Sequence, residues 1–146
     1  MVKNTLKKIK LSFIISIIFA TIFSLSNVSA EVGQLTNDQL KQLLAEGVPL
    51  IDIRTAGEWK ETGVVEGSHL LTFFDERGKY NMDKWLVDLG KIVPKDKKFV
   101  LICRSGNRTG QVSQFLDKKL AYKQVNHLQR GIKNWIKAGD KIVPVK

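Results

Sequence analysis

The chain contains one cysteine, Cys103, and its neighbours are residue types that a reactive thiol needs. It ends an apolar run, residues 99–102, and opens the sequence Cys-Arg-Ser-Gly-Asn-Arg, residues 103–108. A short glycine-containing turn at a helix N-terminus presents backbone N–H groups and the positive end of the helix dipole, which favour negative charge on the sulfur. Arg104 and Arg108 add positive charge nearby and favour the thiolate, the nucleophilic form of cysteine. The pattern predicts covalent sulfur chemistry at Cys103.

A single cysteine cannot form a disulfide within its own chain. In exported proteins cysteines usually occur in pairs as structural bridges. A lone thiol there is buried and inert, paired with another chain, or reactive. The two arginines and the glycine turn favour the reactive alternative. We also expect the thiolate to be accessible and prone to overoxidation.

The first 30 residues have the pattern of an export signal. A basic start is followed by an apolar run over 11–25 and by the small residues Val28-Ser29-Ala30. The apolar run is shorter than the roughly 20 residues of a membrane-spanning helix, although an uncleaved anchor is an alternative. We therefore expect residues 1–30 to be a signal peptide and residues 31–146 to form one domain without a stable membrane anchor. The expected location is the periplasm, or the extracellular space if the source is not Gram-negative.

The net charge of +10 does not by itself indicate a nucleic-acid partner. Cleavage of the signal would remove four of the lysines, and the remaining basic residues are spread along the chain. A nucleic-acid-binding protein usually has a concentrated basic patch and a recognisable motif, and the sequence has neither. We expect a solvated basic surface that attracts small anions.

Strand and helix patterns alternate along the chain. Strands are predicted over 49–54, 68–72, 98–103 and 124–128, with a helical turn over 56–61. Longer helices are predicted after Thr36, which forms a capping box with Gln39, and after Asn81. The helix after the cysteine has Val112, Phe115, Leu116 and Leu120 on its apolar face, and a last short helix contains Ile132, Trp135 and Ile136. This alternation predicts an α/β domain with a mostly parallel sheet. Cys103 then lies at the carboxyl end of a strand, where such sheets carry their active loops.

Several motifs, taken in order, resemble the rhodanese sulfurtransferases in their single-domain form. They are Asp52-Ile53-Arg54 with Gly57-Glu58-Trp59, then residues 63–68, then the loop 103–108. A closing Arg130-Gly131-Ile132-x-x-Trp135 is similar to the family's terminal Gly-Gly…Trp, with Arg130 in place of the first glycine. The resemblance covers about residues 36 to 139. It implies a three-layer α/β/α fold with a mostly parallel central sheet.

The resemblance also implies a chemistry. Cys103 would take a sulfane sulfur from thiosulfate, a polysulfide or a persulfide donor and pass it to cyanide or a thiol, in two half-reactions. The backbone amides of the loop would bind the persulfide and the anion that develops as the donor leaves. The loop residues that would contribute are Arg104, Ser105, Gly106, Asn107 and Arg108. No metal or organic cofactor is implied, and we expect a monomer whose partners are a small anionic donor and a small acceptor or a protein acceptor.

Three further residues are expected to support the loop. Asp52 resembles a family aspartate that pairs with a loop arginine, for which Arg104 is the candidate. The alternative, that Asp52 and Arg54 make structural hydrogen bonds near a turn, can hold at the same time. Glu58 stands where two-domain rhodaneses carry a thiosulfate-binding arginine, so we expect Glu58 to pair with Arg108 and leave Arg104 and the backbone to meet the donor.

Other functions are compatible with parts of this pattern. A cysteine phosphatase also uses a thiolate in an anion-binding loop, but that loop has five residues between cysteine and arginine, and this chain has four. A non-enzymatic sulfur carrier would need the same loop as the enzyme. A Cys–His pair with His69 or His127 is conceivable, although structural roles are expected for both histidines. Phe73 and Phe74, in a segment longer than expected after a strand, are expected to pack in the core or to form a pocket wall.

Overall fold

The computed structural model describes residues 32–145, so the predicted signal peptide lies outside the described residues. In chain order the elements are β1 (Gly33–Leu35), α1 (Asn37–Ala45), β2 (Leu50–Asp52), α2 (Ala56–Thr62), β3 (Val64–Val65), β4 (His69–Leu70), α3 (Met82–Ile92), β5 (Phe99–Ile102), α4 (Asn107–Leu120), β6 (Val125–Leu128), α5 (Gly131–Lys137) and β7 (Ile142–Val143). Across residues 32–145 no helix combines the length and the apolar character needed to cross a membrane.

The central sheet has five strands in the order β1-β6-β5-β2-β4, and each neighbouring pair is parallel. The prediction of a mostly parallel sheet is therefore confirmed. β5 lies in the middle of the sheet, and Cys103 follows its last residue. Because the strands are parallel, the loops after β2 and β5 emerge at the same edge of the sheet.

Alternate residues of β5 pack against different helices. Phe99, Leu101 and Cys103 share a core cluster with residues of α3 and α4, whereas Val100 and Ile102 share one with residues of α1 and α5. Successive side chains of a strand point to opposite faces, so helices cover both faces of the sheet. The predicted three-layer arrangement is confirmed, and the Cys103 side chain lies on the α4 side.

The predicted helix starts are also confirmed. The Thr36 side chain accepts from the Gln39 backbone N–H, and the Gln39 side chain accepts from the Thr36 N–H. Asn81 accepts from the backbone N–H of Lys84 at the start of α3. The apolar face predicted for α4 was partly wrong, because Phe115 is 41% exposed while Val112 and Leu116 are buried.

The shortest strands were not predicted. β3 and β7 form a separate antiparallel pair that joins Val64 to Val143, and β1 adds a parallel edge strand beside β6. Pairing across such a long stretch of chain leaves no local pattern in a two-residue strand. The predicted strand over 68–72 is reduced to β4, His69–Leu70.

Phe73 belongs to the core. It is 6% exposed, and its ring meets Trp85 edge-on at a centroid distance of 4.9 Å. Phe74 is partly buried against the same cluster, and both rings also line a surface groove of about 290 Å³. The expected core role is confirmed for Phe73, whereas Phe74 packs against the core from a partly buried position.

Candidate active site

The Cys103 sulfur lies beneath a tight turn of its own loop. The backbone N–H of Gly106 donates a hydrogen bond to Sγ, with a nitrogen–sulfur distance of 3.2 Å. The Thr109 hydroxyl lies 3.4 Å from Sγ. Within the described chain, Gly106 is the one loop residue of the predicted set whose amide reaches Sγ. An amide donor of this kind stabilises negative charge on the sulfur.

Gly106 permits the turn because of its backbone conformation. Its φ is +91° and its ψ is −16°, in the left-handed region that residues with a Cβ rarely adopt. A Cβ on this residue would also overlap the carbonyl oxygen of Gln129. The glycine is therefore needed both for its torsion angles and for the close approach of the next loop.

The N-terminus of α5 fixes the other side of the cysteine loop. The backbone N–H of Ile132 donates to the Cys103 carbonyl at 2.9 Å, and that of Lys133 donates to the Arg104 carbonyl at 3.1 Å. Gly131 has a φ of +58°, and a Cβ there would overlap the Cys103 carbonyl oxygen. This contact gives the Arg130-Gly131-Ile132 motif a physical role, because it holds the backbone of the reactive loop.

The predicted ion pair between Glu58 and Arg108 is confirmed. Both terminal nitrogens of Arg108 donate to the Glu58 carboxylate, at 2.9 and 2.5 Å. Burial alone would raise the pKa of Glu58, but the hydrogen bonds from Arg108 and the Thr55 N–H together hold it below its ordinary value. The bond to Glu58 raises the pKa of Arg108, to which the nearby Cys103 also contributes. The pair links α2 to the helix that follows the cysteine loop.

The predicted contact of Asp52 with Arg104 is wrong, and the structural alternative is right. Arg54 donates to Asp52 from its backbone N–H and from its side-chain Nε and Nη2, with a shortest distance of 2.7 Å. Both side chains are buried, with 1% and 0% of their surfaces exposed. Arg54 is two residues from Asp52 in sequence, and its side chain is buried beside the Asp52 carboxylate. Arg104 is exposed instead.

Arg54 uses its remaining donors to hold α2. Its Nη1 donates to the Thr62 hydroxyl at 2.8 Å, and its Nη2 donates to the Gly63 carbonyl at 2.9 Å. Asp52 and Arg54 thus join the end of β2 to the helix that carries Glu58. They support the site from beneath the loop rather than touching the sulfur.

Three of the four loop residues between Cys103 and Arg108 face solvent, and the fourth, Gly106, is buried. Arg104, Ser105 and Asn107 are exposed. Arg104 and Lys133 help to line a cavity of about 100 Å³ beside the loop, together with the acidic residues Glu58 and Glu61. Arg54 also lines this cavity but is bound to Asp52, so Arg104 and Lys133 are the cations there that can attract an anionic donor.

Cys103 itself is only 1% exposed, so the expectation of an accessible thiolate was wrong. The turn at Gly106 packs against the sulfur, since the Gly106 amide lies 3.2 Å from Sγ. A donor must therefore be small or must displace part of the loop. Burial also limits contact between the sulfur and oxidants in solution.

Sequence reasoning missed Thr109 as a member of the site. The Thr109 hydroxyl lies 3.4 Å from Nδ1 of His127 as well as 3.4 Å from the sulfur. His127 is 6% exposed, whereas His69 is exposed. A signal existed: Thr109 is in the first turn of the helix that follows the loop, where side chains lean back toward the N-terminus.

Comparisons with known proteins agree with this geometry. The model of the rhodanese-like domain family matches residues 36–138. A sulfurtransferase of Allochromatium vinosum is 32% identical over 114 residues, which cover 77% of this chain and 95% of that protein.

Two solved structures show the same fold. A rhodanese-related protein from Thermoplasma volcanium is 23% identical with a TM-score of 0.58, over 76% of this chain and 97% of that one. A protein of unknown function from Rhodopseudomonas palustris, described as a possible tyrosine phosphatase, is 26% identical with a TM-score of 0.55, over 77% and 85%. The family match spans most of the chain and includes the cysteine loop, Asp52, Glu58 and the α5 motif. The chain belongs to the rhodanese-like domain family.

Proposed function

We propose that this protein is a sulfurtransferase that carries a sulfane sulfur on Cys103 as a persulfide. The family match and the Allochromatium vinosum sulfurtransferase support sulfur transfer as the general activity. The finer statement rests on one observation, the Gly106 N–H that donates to Cys103 Sγ at 3.2 Å. A donor fixed in that position stabilises a sulfur anion before and after it accepts a second sulfur atom.

The proposed reaction has two half-reactions. The Cys103 thiolate attacks the outer sulfur of thiosulfate, a sulfur–sulfur bond forms, and the sulfur–sulfur bond of the donor breaks. Sulfite leaves with the bonding electron pair, and the enzyme keeps a persulfide anion. Cyanide or a thiolate then attacks the outer sulfur of the persulfide, which releases thiocyanate or a new persulfide and restores the Cys103 thiolate. Charge and atoms balance in each half, and no cofactor is consumed.

The charges around the loop suggest how the donor would bind. Arg108 is held by Glu58, so its guanidinium is already neutralised. Arg104 and Lys133 line the adjacent cavity and are the cations left to attract the donor. A thiol persulfide carries one negative charge where thiosulfate or an inorganic polysulfide carries two, so it depends less on these cations. We therefore propose both donor classes, with Arg104 as the residue that favours the more highly charged one.

Phosphatase activity is less well supported. The name of the Rhodopseudomonas palustris protein raises it, but in this chain four residues separate Cys103 from Arg108. A tetrahedral phosphoryl group has several oxygens and needs a wider ring of donors than one sulfur. Both terminal nitrogens of Arg108 are bound to Glu58 rather than directed to a ligand.

We further propose that the chain is exported and acts in the periplasm after cleavage behind Ala30. The basic and apolar N-terminal pattern supports this location. The proposed partners are a small anionic sulfur donor and a thiol or cyanide acceptor, without a nucleic-acid partner. A carrier that passes its persulfide only to a protein acceptor is the alternative.

A steady-state assay tests the function. Thiocyanate formation from thiosulfate and cyanide is measured for the wild type and for Cys103→Ser, with circular dichroism as the control for folding. We expect turnover by the wild type and none by the folded variant. Equal turnover by both would contradict the proposal. A wild type that is loaded with sulfur but transfers it to no small thiol or cyanide would favour the carrier.

A further inference from the structure

Three buried side chains form a hydrogen-bonded chain that ends at the cysteine sulfur. Cys103 Sγ lies 3.4 Å from the Thr109 hydroxyl oxygen, which lies 3.4 Å from His127 Nδ1. The exposed fractions of the three residues are 1%, 0% and 6%. They come from different parts of the fold, the end of β5, the first turn of α4, and β6. Their alignment in the interior is a tertiary feature and not a consequence of local sequence.

The Thr109 hydroxyl can relay a proton because it has one proton and two lone pairs. With Cys103 as a thiol, the hydroxyl accepts from S–H and donates to a neutral His127 Nδ1. With Cys103 as a thiolate, His127 Nδ1–H donates to the hydroxyl, which donates to the sulfur. The Gly106 carbonyl, 3.1 Å from the same hydroxyl, competes for its proton. Both protonation states can therefore be hydrogen-bonded without moving the backbone.

We propose that His127 holds the proton released by the Cys103 thiol, acting through the hydroxyl of Thr109. In this step the S–H bond breaks, the proton passes to the Thr109 oxygen, and the hydroxyl's own proton passes to Nδ1. The products are a thiolate and an imidazolium, with no change in total charge. His127 is thus a positioning residue for the nucleophile, and the proposal rests on the proposed role of Cys103.

The surroundings of His127 suit a neutral acceptor. Burial lowers the pKa of His127, partly offset by a hydrogen bond involving the Leu128 backbone, so the neutral ring is favoured before the transfer and the imidazolium depends on the thiolate that forms with it. Its register neighbours, Gln34 on β1 and Leu101 on β5, do not titrate. On the sulfur side the charged groups are Arg104 of the exposed loop, and Arg108 of α4 with Glu58 of α2, which bind each other. These charges are shared by every variant proposed below.

The test is the pH profile of Cys103 alkylation by iodoacetamide, measured on freshly reduced protein by intact mass. The thiolate is the form that reacts. We expect His127→Asn and Thr109→Val to shift the profile to higher pH, lowering the alkylation rate on its acidic limb by about tenfold for a one-unit shift. The double variant should shift no further, because both changes cut the same chain. Thr109→Ser should keep the wild-type profile, and the exposed His69→Asn is the matched histidine control.

An unshifted alkylation profile in folded His127→Asn would overturn the proposal. So would a shift in His127→Asn that Thr109→Val does not show, because the proton would then not pass through Thr109. If either variant fails to fold, the ring ¹⁵N shifts of His127 are compared between the wild type and Cys103→Ser. A His127 titration unchanged by loss of the thiol would also overturn it. Alkylation needs no sulfur transfer, so a shifted profile supports the relay even if the wild type fails the thiocyanate assay. An active wild type with an unshifted profile rejects the relay alone.

Discussion

Glu58 binds Arg108 through both terminal nitrogens of the guanidinium, at 2.9 and 2.5 Å. The contact joins the third residue of α2 to the second residue of α4, across the mouth of the cysteine loop. Only 18% of the Glu58 side chain and 29% of the Arg108 side chain are exposed. A bidentate pair of this kind fixes the geometry of its partners as well as their charge. Arg108 therefore has a structural task that Arg104 does not share.

Removal of Arg108 should affect mainly stability, whereas removal of Arg104 should affect mainly donor binding. Arg108→Ala should lower the free energy of unfolding by about 1–3 kcal/mol, because Glu58 loses a charged hydrogen-bond partner. Arg104→Ala should leave stability unchanged and raise KM for thiosulfate more than for a thiol persulfide, which carries one negative charge fewer. Urea unfolding and steady-state kinetics separate the two effects. Equal kinetic damage from both substitutions, without any stability difference, would reject this division.

Acid should weaken the fold in part through Glu58. Its folded pKa lies below its unfolded value of about 4.3, so its contribution to stability is complete above that pH. The contribution is lost as the pH falls from there through the folded pKa. Glu58→Gln should be less stable than the wild type at neutral pH, and the difference should shrink in acid. Urea unfolding midpoints of the wild type and Glu58→Gln across this pH range measure the difference in stability. A difference that grows in acid would contradict the stabilising role of the Glu58 carboxylate.

The buried pair of Asp52 and Arg54 should matter more for folding than for chemistry. Arg54→Met strands the Asp52 carboxylate in the interior and should cost about 3–5 kcal/mol. The double variant with Asp52→Asn should cost less than the sum of the single changes. Lys84→Met, which breaks an exposed pair with Asp88, is the control and should change stability little. Additive losses at Asp52 and Arg54 would show that the pair is not coupled.

Gly106 should resist substitution more than another glycine with a similar backbone. Gly67 has a φ of +79° and open space around its Cβ position, whereas a Cβ on Gly106 meets the Gln129 carbonyl. Both alanine variants share the cost of a left-handed residue, about 1–2 kcal/mol. Gly106→Ala should lose additional stability and most sulfur transfer, while Gly67→Ala keeps its activity. Thermal unfolding and the thiocyanate assay compare them, and equal effects would reject the role of close packing.

The sequence predicted the parts of the molecule that depend on local chemistry. Patterns of only a few residues predict two helix starts and one strand. They are the capping residues Thr36 and Asn81 and the apolar run before Cys103, and each prediction was confirmed. The Glu58–Arg108 pair was predicted because the family resemblance identified a glutamate opposite the loop. The capping and strand signals are local, whereas this pair joins residues 50 apart in sequence and depended on the resemblance.

The features that were missed depend on the assembled fold. The two-residue strands β3 and β7 exist only because distant segments meet, and the same is true of the Thr109–His127 contact. The choice of Arg54 over Arg104 as the partner of Asp52 depends on which side chain can enter a buried pocket. The burial of Cys103 could not be predicted either, because it follows from how the loop turn at Gly106 and the first turn of α4 pack around the sulfur.

The intact mass of protein purified without reductant shows whether Cys103 carries a persulfide. After incubation with thiosulfate, we expect a gain equal to one sulfur atom, located on the peptide that contains Cys103 and removed by cyanide. Cys103→Ser should gain nothing under the same conditions. An unchanged wild-type mass with both thiosulfate and polysulfide, or an equal gain in Cys103→Ser, would contradict a persulfide on this residue.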